Sequence, residues 1–203
     1  MTHNAYSVAA QHVRGNRLML FVSVGLLLTS LAMASWYGTW MEALLIGVPA
    51  VAVPAVLARV APLAVTTRIA YGLGFMVFSA LLIHQARGMI EMHFAIFALL
   101  AFLLYYRDIW PIVAAAGLIA VHHLAFNFLQ VSGAPVFVFE GRTGLGIVMV
   151  HAAFVVVETL VLVMIARQFE RELRQSEALY DGLNRITADS QNIDLGVRVA
   201  ADG

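Results

Sequence analysis

The sequence predicts an all-α polytopic membrane protein: a bundle of six transmembrane helices with both termini in the cytoplasm and a C-terminal helix that runs on past the bilayer. Three observations predict it. Hydrophobic residues make up 62% and charged residues 12% of the 203 positions, with a mean hydropathy of +0.86, which is too apolar for a water-soluble domain. The apolar residues gather into six runs close to the ~20 residues a helix needs to cross the hydrocarbon core. The twelve basic residues are all arginine, and most fall at alternate helix ends. Cysteine is absent, which excludes a disulfide framework and restricts any metal site to nitrogen, oxygen or thioether ligands.

The elements follow in order. Residues 1–16 form a polar cytoplasmic tail in which His3 and His12 are solvated. The run 17–36 has full span length and no small-residue cleavage site, so it reads as a helix and not a secretory signal. Trp36, Tyr37 and Trp40 form an aromatic belt at the first outer turn. The second span, 40–58, carries Pro49 and Pro54, which membrane helices tolerate. The third covers 66–83. The fourth, 92–106, is short, opened by Glu91 and His93 and closed by Arg107-Asp108, where Arg107 anchors the inner turn and Asp108 caps the next helix. The fifth is 109–129 and the sixth 144–166, completing a transmembrane unit over 17–166. A cytoplasmic N-terminus puts Arg14, Arg17, Arg59, Arg68, Arg107, Arg167, Arg171, Arg174, Arg185 and Arg198 inside and leaves only Arg87 and Arg142 outside, a strong positive-inside bias. With a formal net charge of zero, no nucleic-acid partner is expected.

This topology brings five histidines into one layer. His84 ends the third span and His93 begins the fourth. His122 and His123 precede the outer end of the fifth by six or seven residues, and His151 follows the outer start of the sixth by seven, each about 10 Å deep at a rise of about 1.5 Å per residue. Buried imidazoles on facing helices suit transition-metal ligation. Copper is favoured, with zinc or iron as alternatives, and b-type haem held by two histidines is the rival cofactor. His122 and His123 point about 100° apart on a helix, so one serves as ligand and the other as a neighbour or a member of a second site. The expected ligand set is His84, His93, His122, His123 and His151, with Glu91 as a carboxylate candidate. Asn127, four residues after His123, and Glu158, seven after His151, stand behind it. The nine methionines are scattered through the helices and read as packing, although Met89 and Met92, flanking Glu91, could offer thioether sulfur to copper. The competing reading is a structural or proton-linked polar cluster, with Glu158 a helix-to-helix hydrogen bonder.

Beyond residue 166 charges return, and Phe169, Leu173, Ser176, Tyr180, Leu183 and Thr187 follow a four-three spacing, so the sixth helix is expected to continue as a cytoplasmic stem with a weak coiled-coil seam. The run ending in Ala-Asp-Gly is expected to lead into something longer. The motifs His93-Phe94, Tyr106-Arg107-Asp108, His122-His123, Val150-His151-Ala152-Ala153-Phe154-Val155-Val156 and Glu158-Thr159 together resemble the six-helix membrane sensory input region of bacterial methyl-accepting chemotaxis proteins and related membrane diguanylate cyclases. Asp194-Leu195-Gly196-Val197-Arg198-Val199 resembles the linker into the signalling portion of chemoreceptors. The likeness runs from about residue 83 to the end. It implies a sensor in the bacterial inner membrane with a cytoplasmic C-terminal signalling helix over 167–203, a homodimer through that stem, and an output domain that engages the cytoplasmic signalling machinery.

Two other classes fit less well. A membrane diiron oxidoreductase needs close repeated histidine pairs, and only His122-His123 is close. A metal transporter needs a polar path on the inner side, which these spans lack.

Overall fold

The computed structural model describes residues 8–141 and 144–187, without the side chains of 184–187. It is all-helical, with no strand among the described residues. The helices are α1 (Val8–Tyr37), α2 (Trp40–Val60), α3 (Val65–Gln85), α4 (Ile90–Tyr106), α5 (Ile109–Val131) and α6 (Leu145–Thr187). Five are long and apolar enough to cross a membrane, and α4 is a shorter apolar helix. The difference from expectation lies at the start of α1, which is already helical at Val8, nine residues before the apolar run; α6 passes through residue 166 without a break, as the continuing stem requires. His3, Arg142, Arg198 and the linker-like 194–199 lie outside the described residues, as does the side chain of Arg185.

The third helix is the hub. Two thirds of its most apolar window is buried (67%), against 17 to 33% in the other four long helices, and it packs on α1, α2, α4 and α5. Close approach to α5 depends on Gly72, where a Cβ would meet the Pro111 carbonyl oxygen at 2.7 Å. Small residues let membrane helices touch backbone to backbone. In α2 a π-helical turn, Ala43–Gly47, precedes Pro49 and the in-helix Pro54, as expected where a regular ladder is interrupted. The sixth helix lies across α5 and α4.

Polar residues pin both ends of the bundle. At one end, buried Gln85 accepts from the Ser30 hydroxyl (2.8 Å) and donates to the Ser30 carbonyl (3.1 Å) and the Thr39 hydroxyl (2.8 Å). That joins α1, the α1–α2 turn and α3. The Arg87 guanidinium lies over the rings of Tyr37 (4.8 Å) and Phe137 (4.4 Å), so the α1–α2, α3–α4 and α5–α6 connections meet at this end.

At the opposite end Asp108 caps α5, accepting from Trp110 N at 3.0 Å, as the sequence predicts. It also pairs with Arg68 at 2.7 Å, a partner that counting arginines does not reveal. Arg68 donates in addition to the Leu63 carbonyl (2.9 Å) and lies 3.1 Å from His12 Nδ1. The expected solvated role of His12 is thereby replaced by a place in this cluster. Tyr106 donates to Asn16 Oδ1 at 2.9 Å, and Asn16 donates to the Pro62 carbonyl at 2.8 Å. The stem is tied in here too. Arg107 lies over the Phe169 ring at 5.7 Å, and Leu173 is buried. Two residues of the expected seam therefore face their own bundle.

Candidate metal centre

Three helices each bring one imidazole into one cluster: His93 from the first turn of α4, His123 from the middle of α5 and His151 from the second turn of α6. Ring centroids are 5.4 Å apart for His93 and His123, 5.3 Å for His93 and His151, and 6.1 Å for His123 and His151. Each ring makes the same local bond. Nδ1 of His93 sits 3.1 Å from the Met89 carbonyl, that of His123 3.0 Å from Ile119, and that of His151 2.9 Å from Ile147. The partner is four residues earlier each time, where a helical side chain leaning toward its N-terminus meets a carbonyl.

A carbonyl oxygen only accepts, so Nδ1 carries the proton and, in the neutral ring, Nε2 carries the lone pair. Nε2 of His93 and of His123 is buried and makes no hydrogen bond within the chain. Locking one ring nitrogen on a carbonyl to aim the other at a metal is the usual arrangement around ligating histidines. The three rings, with Ile96, Ile119 and Val155 among their neighbours, line a cavity of about 30 Å³, room for one ion or a water.

The spacing can be compared with ligation directly. An ion bound through Nε2 lies about 3.2 Å from the ring centroid, so three tetrahedral imidazoles place their centroids about 5.2 Å apart. Two of the three edges match, and the third, His123 to His151, is about 1 Å too wide. Among the described residues no group of three or more His, Asp or Glu side chains stands where it could hold a metal ion in this arrangement. The trio stands open along one edge.

Phe139, which the sequence reading did not single out, completes the site. Its ring lies parallel to that of His93 (5.9 Å, 5°) and 5.8 and 5.0 Å from those of His123 and His151. Three imidazoles and one phenyl thus occupy the corners of a rough tetrahedron. Phe139 is held there by Gln130, which donates to its carbonyl (2.8 Å) and accepts from the amides of Val138 (2.8 Å) and Phe139 (3.1 Å). Gly88, at φ +85°, makes the floor beneath this loop, where a Cβ would lie 2.5 Å from the Phe139 carbonyl carbon. No periodicity marks Gln130 or Phe139. The only sequence signal is a glutamine near the end of an apolar helix, followed by an apolar loop.

The other expected residues fall elsewhere. His122 turns away from the trio: its ring stands 5.4 Å from His123 and 4.1 Å from Phe126. His84 faces Phe137 at 5.7 Å and accepts from its amide at 3.3 Å. Glu91 is exposed and lines neither the trio's cavity nor the one beside His122. Asn127 holds the start of α6 by accepting from Gly144 N at 2.8 Å. Glu158 keeps a buried carboxylate oxygen with no partner, away from the cavity. Met89 and Met92 pack beside Met33, Leu82 and Ala86.

A porphyrin does not fit the trio. Between any two of these imidazoles, the third and Phe139 stand within about 6 Å, where the macrocycle has to lie between its axial ligands, and the cavity is ion-sized.

No protein-family model, curated protein or solved structure matches this chain. The fold and site define an all-helical bundle, consistent with a multi-pass membrane protein, with three histidines converging inside it.

Proposed function

We propose that this chain is the membrane-embedded sensory input region of a chemoreceptor-type signal transducer in the bacterial inner membrane, and that it responds to a transition-metal ion held by His93, His123 and His151. The observation that carries this reading is the trio itself: three imidazoles from three helices, each with Nδ1 tied to its own backbone, around a cavity for one ion. Nitrogen ligands with no carboxylate select zinc, copper, iron or nickel over magnesium or calcium, and copper heads the affinity order among divalent ions. The arginine distribution supports a periplasmic position for the site and cytoplasmic termini.

The open edge gives the output. Closing His123 onto His151 by about 1 Å brings α6 toward α5, and α6 continues from His151 to Thr187, about 54 Å at about 1.5 Å per residue. A coupling of about 1 to 3 kcal/mol between ion and helix position is enough to switch a two-state output. The stem beyond Leu173 serves the homodimer through which such a helix signals to the cytoplasmic machinery.

Elemental analysis and an absorption spectrum of the purified protein test the reading. One copper or zinc per chain without a Soret band is expected, and His151→Ala should lose it. A Soret band, or no metal in protein exposed to copper and zinc, would overturn it.

A further inference from the structure

A second chamber lies beside the trio. Glu42 in the first turn of α2, His84 at the end of α3 and His122 in α5 line an open-sided cavity of about 480 Å³, walled by apolar side chains and by Pro135 and Val136 of the α5–α6 loop. Nδ1 of His122 is buried there without a partner. From this geometry we infer that Glu42, His84 and His122 form a loading chamber that takes up a hydrated divalent transition-metal ion and passes it, through His122, to the His93, His123 and His151 site. The inference rests on the reading of that trio as a metal site.

Size and chemistry support the assignment. An ion with six waters needs about 200 Å³ at about 30 Å³ per molecule, which the chamber holds and the inner cavity of about 30 Å³ does not. The ion therefore has to shed its water between the two, and exchangeable imidazoles are what that requires. His122 and His123 are adjacent in sequence with rings 5.4 Å apart, as close as the rings within the trio. One residue faces the chamber and the next faces the core, so a hand-off moves an ion from one helix face to the next without crossing open lipid. Glu42 supplies the negative charge that draws a cation in, offsetting Arg87, which also acts on His84. Cavity walls of low polarity focus such a field.

The test uses cobalt(II), whose d–d spectrum distinguishes tetrahedral from octahedral coordination, mixed rapidly with the full chain in nanodiscs. Wild type should load one ion and replace the weak octahedral bands of the hydrated ion with the stronger bands of a site of lower coordination number. Glu42→Gln and His84→Ala should reach the same final spectrum and stoichiometry, but about ten-fold more slowly. Loading at the wild-type rate in both variants would overturn the chamber and leave the trio standing. Loss of the final spectrum in either variant, with helical content intact, would make that residue a ligand of the inner ion and overturn the separate chamber. No cobalt spectrum in wild type would overturn the trio and the chamber with it. Should His84→Ala misfold, the near-isosteric Glu42→Gln decides alone.

Discussion

Gly88 is the residue on which the site's geometry turns most sharply. It has φ +85° and would place a Cβ 2.5 Å from the backbone of Phe139. Alanine there costs about 1 to 2 kcal/mol in backbone strain, and overlap with a buried backbone adds about 1 to 3 kcal/mol. Gly88→Ala is expected to lower the thermal midpoint and to weaken metal binding together, because Phe139 is displaced. A melt and an isothermal titration check this. The candidate histidines were legible because a polar ring in an apolar run needs a reason to be there. Which of His122 and His123 faces inward was not legible, since the ~100° between them is a property of any helix and the choice depends on how α5 is rotated against α4 and α6. Asn127 shows the same limit. Its spacing puts it on the face of His123, but the side chain reaches on to Gly144.

At the scale of elements, hydropathy located all six helices to within a few residues except at the start of α1, where polar residues continue the helix beyond the apolar run. The Asp108 cap was legible because a cap is a local motif. Its pairing with Arg68, forty residues away in sequence, was not. Both side chains are nearly buried, at 9% and 12% exposure, so removing one partner strands the other. Arg68→Ala should destabilise the bundle by about 3 kcal/mol, and a chemical or thermal unfolding series should show it. Arg68→Ala with Asp108→Asn together should cost less than Arg68→Ala alone, because the stranded charge is gone while the cap oxygen stays. The α5–α6 loop lay beyond reach for a different reason. Around Phe139 it is held by three hydrogen bonds with the Gln130 side chain, one donated and two accepted, and no repeat or composition encodes them.

For the molecule as a whole, orientation is the expectation most open to direct test. The chain has no native cysteine, so single cysteines report cleanly. Ser132→Cys in the α5–α6 loop should react with a membrane-impermeant maleimide added to intact spheroplasts, and Ser176→Cys in the stem should react only after lysis. The reverse pattern would invert the topology and put the histidines on the cytoplasmic side. The helix that holds His151 also packs at the far end, with Phe169 under Arg107 and Leu173 buried. In the proposed mechanism, a shift at the site would reach the stem along this one unbroken helix.

The most direct measurement is X-ray absorption at the metal edge of the copper- or zinc-loaded protein, with His123→Ala as the comparison. Wild type is expected to show a shell of three imidazole nitrogens at about 2.0 Å, with the outer-shell scattering that imidazole rings give, and His123→Ala to lose the bound ion or one of those rings. An oxygen-dominated shell, or the same spectrum in wild type and His123→Ala, would contradict a three-histidine metal centre.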